Sequence, residues 1–488
     1  MAKLKNIIKQ LSNHDYEAIH HSLLESNAEK SAYLLKSMRE KSHSDTKIME
    51  ELGVNTNAYY TLRSRLYQKI EEYLLTQMES PRTDLLKRVS NISETIFTRK
   101  PAITIATLKR LEKELIDYDL SNELTVVYKH LKKLHINSPD FFSYSQSYNK
   151  HVAYMLAVDK AEDMLSEYFK KFGVFCLTGD EIDKLGLTLL NREMINVCNM
   201  YNSHRLYVYQ ACMNVFHRLF VEEDRHEDDG EPIEDILDRV EKYFKEFDLD
   251  TIYHHLEIVF EYLRLEYYNH YKVYKKAEKY YEEVNESIAL LLSNYSLYTY
   301  PAQFLMTKVE RCLRNGSEAS LYVENDALFE DFEYDRENVP QYVNYVLYRT
   351  LSCYYANHFD EAAKWLNNLL NELSLKRYQL ATIEIKSILA LQYCLMQDVE
   401  LFSQLVNSIQ RQVRMLTKED CSHITSFLKI LKIAMSDVKR DKIVKIKAIA
   451  SRISDSGRKS FSPTKYIVFD DRLINLLSEV EAVERKHH

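Results

Sequence analysis

Apolar residues recur at three- and four-residue steps along almost the whole chain. In "ATLKRLEKELIDYDLSNELTVVYKHLKKL", Leu108, Leu111, Leu115 and Tyr118 form one stripe, and Leu124, Val127, Leu131 and Leu134 form a second. That spacing puts each set on one face of an α-helix. Residues 119–122 break the stripe, and Ser121 is placed to cap the next helix, so the pattern predicts two antiparallel helices joined by a short corner.

A sharper corner is predicted in "SDTKIMEELGVNTNAYYTLRSRLYQKIEEYLL", residues 44–75. Ser44 caps a short helix with Asp45 in its first turn and Ile48 and Leu52 facing inward. Gly53 is the first glycine of the chain and the next is Gly173. A lone glycine at a helix–helix corner points to a positive φ there. Val54 then plugs the corner and Asn55 caps a second helix, which turns Tyr59, Leu62, Leu66, Ile70 and Tyr73 to the core. Its opposite face displays Asn55, Thr56, Asn57, Tyr60, Thr61 and Ser64.

Composition sharpens this picture. The chain of 488 residues holds only 7 Gly and 7 Pro, but 37 Tyr against 19 Phe. Tight turns and strand bends need Gly and Pro, so their scarcity excludes an all-β or α/β chain and leaves no material for phosphate-cradling loops. The expected fold is all-α. A net charge of −8 gives no global pull toward nucleic acid or anionic membrane. No apolar run approaches the roughly 20 residues that a spanning helix needs, and the N-terminus has no secretory signal. A soluble, cytoplasmic protein with no membrane partner is expected. Seven scattered Cys with no C-x-x-C pair read as reduced core residues rather than as a disulfide framework or a zinc site.

Two segments depart from the helical rhythm. Residues 222–238, "EEDRHEDDGEPIEDILD", carry ten carboxylates and one Arg, and read as a solvated loop at 222–232 ending at a helix N-terminus. A calcium loop is disfavoured because Arg225 stands where the first ligand belongs. Residues 314–341 read as a long insertion between helices. Near the C-terminus, residues 436–466 hold nine Lys or Arg against three Asp. They read as a solvated helix face followed by a loop, with a docking patch for an acidic partner or a nucleic-acid backbone as the alternative.

"FEYLRLEYYNHYKVYKKAEKYYEEV" places Tyr268, Tyr274, Ala277 and Tyr281 six, three and four residues apart. This resembles the aromatic–small–aromatic pattern of tetratricopeptide repeats, in which the small residue lets two helices approach closely. "LSCYYANHFDEAAKWLNNLL" offers a second unit with Phe359, Ala362 and Leu366, and "AVDKAEDMLSEYF" a third around Ala161. The resemblance implies an α-α superhelix, a solenoid of stacked helix pairs, and the region from about residue 100 onward is similar to a broad class of uncharacterised bacterial tetratricopeptide-like proteins. Residues 44–75 in turn resemble the helix-turn-helix of bacterial regulators, including the sigma-factor type, with "NAEKSAYLLKSMREK" as the supporting helix. The resemblance implies that Thr56, Asn57, Tyr60 and Thr61 approach bases and that Arg63 and Arg65 approach phosphates. Lys47, Arg63, Arg65 and Lys69 are outnumbered there by Asp45, Glu50, Glu51, Glu71 and Glu72, so the module lacks the positive charge that supplies most DNA affinity.

The organisation read from the sequence is a helix-turn-helix-like module at 1–80, helical repeats at 81–221, the acidic loop at 222–232, and a tetratricopeptide-like solenoid at 233–488 with an insertion near 314–341. No H-E-x-x-H, phosphate-loop lysine, G-x-S-x-G or G-x-G-x-x-G motif occurs. The adjacent pairs His20-His21 and His254-His255 point to different helix faces and cannot chelate together. No cofactor, no metal and no enzymatic activity are expected. The function expected is that of an adaptor whose partner is a protein or a peptide. The alternative is a transcriptional regulator that binds DNA through 44–75 and uses the repeats to sense a ligand or to dimerise. That order of modules looks like the bacterial peptide-pheromone receptors.

Overall fold

The computed structural model describes residues 4, 7–8, 11, 13–26, 28–40, 45–77, 81–201, 203–222, 230–247, 251–293, 298–329, 335–416, 421–436, 441–453 and 461–480. Among them every regular element is a helix and none is a strand, as the scarcity of Gly and Pro required. Consecutive helices pack on one another, in two compact units, Met1–Met155 and Leu156–His488.

In the first unit, α1 (Asn13–Glu25), α2 (Glu29–Glu40), α3 (Asp45–Leu52) and α4 (Thr56–Gln77) contribute to a core that includes Leu34, Leu35, Ile48, Tyr59, Leu66 and Ile70. The Arg39 guanidinium donates to the carbonyls of Ile8 and Leu11 at 3.0 and 2.8 Å, tying the N-terminal residues to α2. A second core lies under α5 (Pro81–Ser90), α6 (Ile92–Thr98), α7 (Pro101–Asp117) and α8 (Ser121–Leu134). Both stripes are inward there, through Leu108, Leu111 and Leu115 and through Leu124, Val127 and Leu131. The cap differs from expectation: the N-cap position falls on Leu120, so Ser121 is the first helical residue and caps nothing. Helix α9 (Asp140–Thr178) begins in this unit and ends in the next.

The second unit continues with α10 (Glu181–Asn199), α11 (His204–Phe220) and α12 (Ile233–Glu246), and then becomes a run of helix pairs. These are α13 (Thr251–His270) with α14 (Tyr274–Ser293), and α15 (Ala302–Asn315) with the short α16 (Ser320–Val323) and α17 (Asn325–Leu328). They continue with α18 (Val339–Tyr355) and α19 (Phe359–Glu372), α20 (Gln379–Leu395) and α21 (Val399–Val413), and α22 (Ser422–Ala434) and α23 (Lys442–Ala450). A 3-10 turn, Pro463–Tyr466, and α24 (Asp471–Glu479) close the described chain. The first helix of each pair packs on its second, and the leading helices α15 and α18, and α20 and α22, also pack on each other.

One corner geometry recurs. After α3, Gly53 takes φ +59°, the Val54 amide donates to the Met49 carbonyl at 3.1 Å and the Gly53 amide to Glu50 at 3.2 Å. This is the Schellman pair of bonds that ends a helix through one left-handed residue. The same six-to-one bond runs from Leu120 to Leu115, Val273 to Tyr268, His358 to Cys353 and Asp398 to Tyr393. The left-handed residues there are Asp119, Lys272, Asn357 and Gln397. The chain thus turns its helix pairs with few glycines, because other residues carry the positive φ.

That register also relates the helix pairs to one another. Ala277 and Ala362 each lie five residues beyond the left-handed residue of their corner, at Lys272 and Asn357. A further pair has Phe402 in that place after Gln397, which is why the small-residue pattern missed it. The stretch around Ala161 has no corner of its own and sits inside the uninterrupted helix α9. Of the two segments outside the rhythm, 223–229 lie outside the described residues, and the insertion at 314–341 carries α16 and α17, with 330–334 outside them.

Candidate functional site

At the N-terminal corner, Ser44 and the side chains of Thr56 and Asn57 lie outside the described residues. Asn55 Oδ1 accepts from the Ala58 amide at 2.9 Å and so caps α4. Tyr60 is 48% exposed, and Thr61 and Arg65 are exposed beside it. Arg63 is half-buried, with its guanidinium 5.8 Å from the Tyr59 ring. On the neighbouring surface, Glu51 accepts from the Tyr33 hydroxyl at 2.7 Å, and Lys69 pairs with Glu72 at 3.0 Å. Basic side chains here are interleaved with acidic ones.

Of the residues assigned to repeat packing, Tyr268, Ala277, Tyr281 and Ala362 are buried and Phe359 is half-buried. Tyr274 instead stands 39% exposed, its ring under the Arg314 guanidinium at 3.9 Å.

A cluster of long-range contacts lies on the face of the leading helices, where segment 461–480 touches α20, α15, α18 and α22. Glu384 of α20, only 3% exposed, is its anchor. Its carboxylate accepts from the Ser462 hydroxyl at 3.2 Å, the Thr464 amide at 3.2 Å and the Thr464 hydroxyl at 2.8 Å. His423 Nε2 of α22 lies 2.5 Å from the same carboxylate, which makes it a fourth donor. A buried carboxylate is tolerable only when hydrogen bonds replace its water, and these four do so. On α15, Glu310 pairs with Lys465 at 3.0 Å. On α18, the Tyr355 hydroxyl donates to the Tyr466 carbonyl, and Arg472 lies over the Tyr354 and Tyr355 rings and donates to Asn357 at 3.0 Å. On α22, Phe427 meets Phe469 with centroids 5.9 Å apart. Asp470 caps α24 through the Leu473 amide at 2.8 Å, and Leu473, Ile474 and Leu477 of that helix are buried.

This arrangement revises the reading of residues 436–466 as a solvated face only in part, since Lys445, Lys447 and Arg452 are exposed. Lys442 is buried and donates to the Val480 carbonyl at 2.9 Å, Lys447 pairs with Asp471 at 3.2 Å, and Lys465 with Glu310. Lys439, Arg440, Arg458 and Lys459 lie outside the described residues. Nothing in local periodicity marks Glu384 as an anchor, because its partners are 39 to 80 residues further along the chain.

The Ser462–Glu384–His423 cluster is not a nucleophile triad. The carboxylate stands between hydroxyl and imidazole, whereas activating a serine requires the imidazole in the middle. Elsewhere, a cavity of about 490 Å³ between α12, α13 and α14 is lined by Phe244, Tyr253, Glu257, Glu261, Arg264 and Glu283, among others. Burial, with the Glu283 carboxyl beside it, pushes Glu261 up to about 8. Arg264 is held by Asp238 and Glu241 at 2.9 and 3.0 Å. None of the seven cysteines is in a disulfide, and burial pushes the thiols of Cys198, Cys353 and Cys394 up to about 12, away from thiolate chemistry. Among the described residues no group of three or more His, Cys, Asp or Glu could hold a metal ion, and no helix is long and apolar enough to cross a membrane.

No protein-family model, no curated protein and no solved structure matches this chain.

Proposed function

We propose that this chain is a non-enzymatic interaction protein, in which a tetratricopeptide-like array holds a short segment of a protein partner on the face of its leading helices. The observation that carries this reading is the seating of 461–469 across Glu310, Tyr355, Glu384 and Phe427, one residue from each of four leading helices. Stacked helix pairs form extended binding surfaces of this kind, and backbone-directed bonds with spaced side-chain pockets are the general means of holding peptides. Affinity capture from the native host tests it. A partner is expected to be retained after nuclease treatment and to be lost on Glu310→Lys, a change on the face that leaves the buried apolar contacts alone. Retention that the variant does not alter sinks the reading.

A second reading is favoured by one feature, the glycine corner at 44–75 that presents Tyr60, Thr61 and Arg65 on the outer side of α4. In it the chain is a helix-turn-helix regulator, with DNA as partner and the repeats as sensor or dimerisation domain. The interleaved acidic residues weigh against it, since phosphate neutralisation supplies most of the affinity.

A further inference from the structure

We infer that residues 461–469, "FSPTKYIVF", act as an internal occupant of the leading-helix face, and that their chemistry is the chemistry of the partner segment the face takes from a second protein. The inference rests on the peptide-holding reading above and adds the ligand class and its control. The contacts divide into subsites. Glu384 takes a hydroxyl residue, a proline turn and a second hydroxyl residue, through two hydroxyls and one amide. Glu310 takes a cation one position later, and Tyr355 takes the following backbone carbonyl. Phe427 takes an aromatic ring three residues beyond that. The ligand so defined is a segment that makes a 3-10 turn, of the order hydroxyl–Pro–hydroxyl–cation–aromatic, ending in a second aromatic.

Three features mark this segment as an occupant rather than a layer of the array. The pairs α18–α19 and α20–α21 pack directly on each other, and α19 packs on α20, without any contribution from it. Its polar anchors are directional bonds to side chains of the leading helices, set beside the buried Phe461, Pro463, Tyr466 and Ile467. Two of its bonds use peptide groups, the Thr464 amide and the Tyr466 carbonyl, which any chain can supply. A tethered occupant also competes at an effective concentration in the millimolar range, so it weakens an external ligand of equal intrinsic affinity by roughly 10²–10⁴-fold. The intact chain then binds such a partner only when the partner is locally concentrated or the internal segment is released.

Fluorescence anisotropy with a labelled FSPTKYIVFDD peptide and the full-length protein tests this. The wild-type chain is expected to bind the peptide weakly. The double variant Thr464→Val with Lys465→Glu, which loosens the internal segment and leaves the face intact, is expected to bind at least about tenfold more tightly. Adding Glu384→Gln to it is expected to remove that gain, and a peptide carrying the same Val and Glu changes is expected not to bind. If the double variant keeps the wild-type circular dichroism and binds no better than wild type, or binds both peptides alike, the inference is overturned. Should the double variant fail to fold, hydrogen exchange of the wild-type chain decides. The Thr464 and Ile467 amides are expected to exchange through a local opening, well ahead of the α20 amides, and equal rates overturn the inference. Partner capture that is lost on Glu310→Lys while the peptide assays fail would leave the interaction reading standing and remove only this one.

Discussion

Glu266 is buried on α13 and faces Thr307, whose hydroxyl donates to its Oε1 at 2.6 Å. Burial pushes its carboxyl up from 4.5 to about 8, with Glu310 adding to the rise. As pH rises through the window between those values, the unfolded chain gives up this proton and the folded chain keeps it. Folding therefore loses stability across that window, by at most about 1.4 kcal/mol per unit. Glu266→Gln keeps the shape and the acceptor and removes the titration. It is expected to raise the thermal midpoint at pH 7 by an amount equivalent to roughly 1–3 kcal/mol, and the gain should vanish near pH 4. A gain that is the same at both pH values would refute the assignment. His217 acts with the opposite sign. It is buried against the Tyr168 hydroxyl at 3.0 Å, and burial pushes it down to about 4. Stability linked to it is present above its ordinary value of 6.5 and is lost as pH falls toward about 4. The preference for Tyr over Phe has a residue-scale cause as well. Tyr209, Tyr268, Tyr322 and Tyr342 donate to Glu162, Glu234, Glu361 and Glu372 on neighbouring helices, so each ring packs while its hydroxyl satisfies a carboxylate.

At the scale of helices and corners, the left-handed residue is the controlling feature. A side chain in that conformation costs roughly 1–2 kcal/mol. Gly53→Ala is therefore expected to lower the stability of the first unit by about 1 kcal/mol, with nothing nearby for the new methyl group to strike. Lys272→Gly relieves the same strain and is expected to raise the midpoint of the second unit. Chemical denaturation of the two variants checks both signs, and a stabilising Gly53→Ala would contradict the corner geometry. Ala277 makes the complementary case. It is 2% exposed, five residues beyond the Lys272 corner, where α13 and α14 converge. Ala277→Leu is expected to overpack the pair and cost roughly 1–3 kcal/mol. An unchanged midpoint would show that the pair does not close at this residue.

For the whole molecule, net charge and its distribution set the expectation about DNA. The chain carries −8 overall, and the basic residues of α4 sit among carboxylates. Purified protein is expected to show no retention on genomic DNA fragments at about 150 mM salt, because too few phosphates can be neutralised. Sequence-selective retention that Thr61→Ala and Arg65→Ala abolish would overturn the adaptor reading and promote the regulator. The second unit also shows how an array manages its own surface. Its C-terminal segment runs back over α15, α18, α20 and α22, so residues far apart in sequence share one face.

Helix content, the inward stripes at 108–131, and the positive φ at Gly53 were legible in the sequence, because period, composition and a lone glycine act locally. The cap assigned to Ser121 missed by one residue, since the left-handed Asp119 and the bond from the Leu120 amide to Leu115 bring the helix start forward to Leu120. The helix pair that turns at Gln397 was hidden because Phe402 stands where the pattern demanded a small residue. The anchor at Glu384 was not legible at all. A glutamate at that position in α20 looks like an ordinary polar residue of a helix until the chain returns about eighty residues later with two hydroxyls and an amide. Local periodicity determined which residues turn inward along each helix. Only the tertiary structure decided what covers the face those helices make, because that contact depends on chain return and not on any window of neighbours.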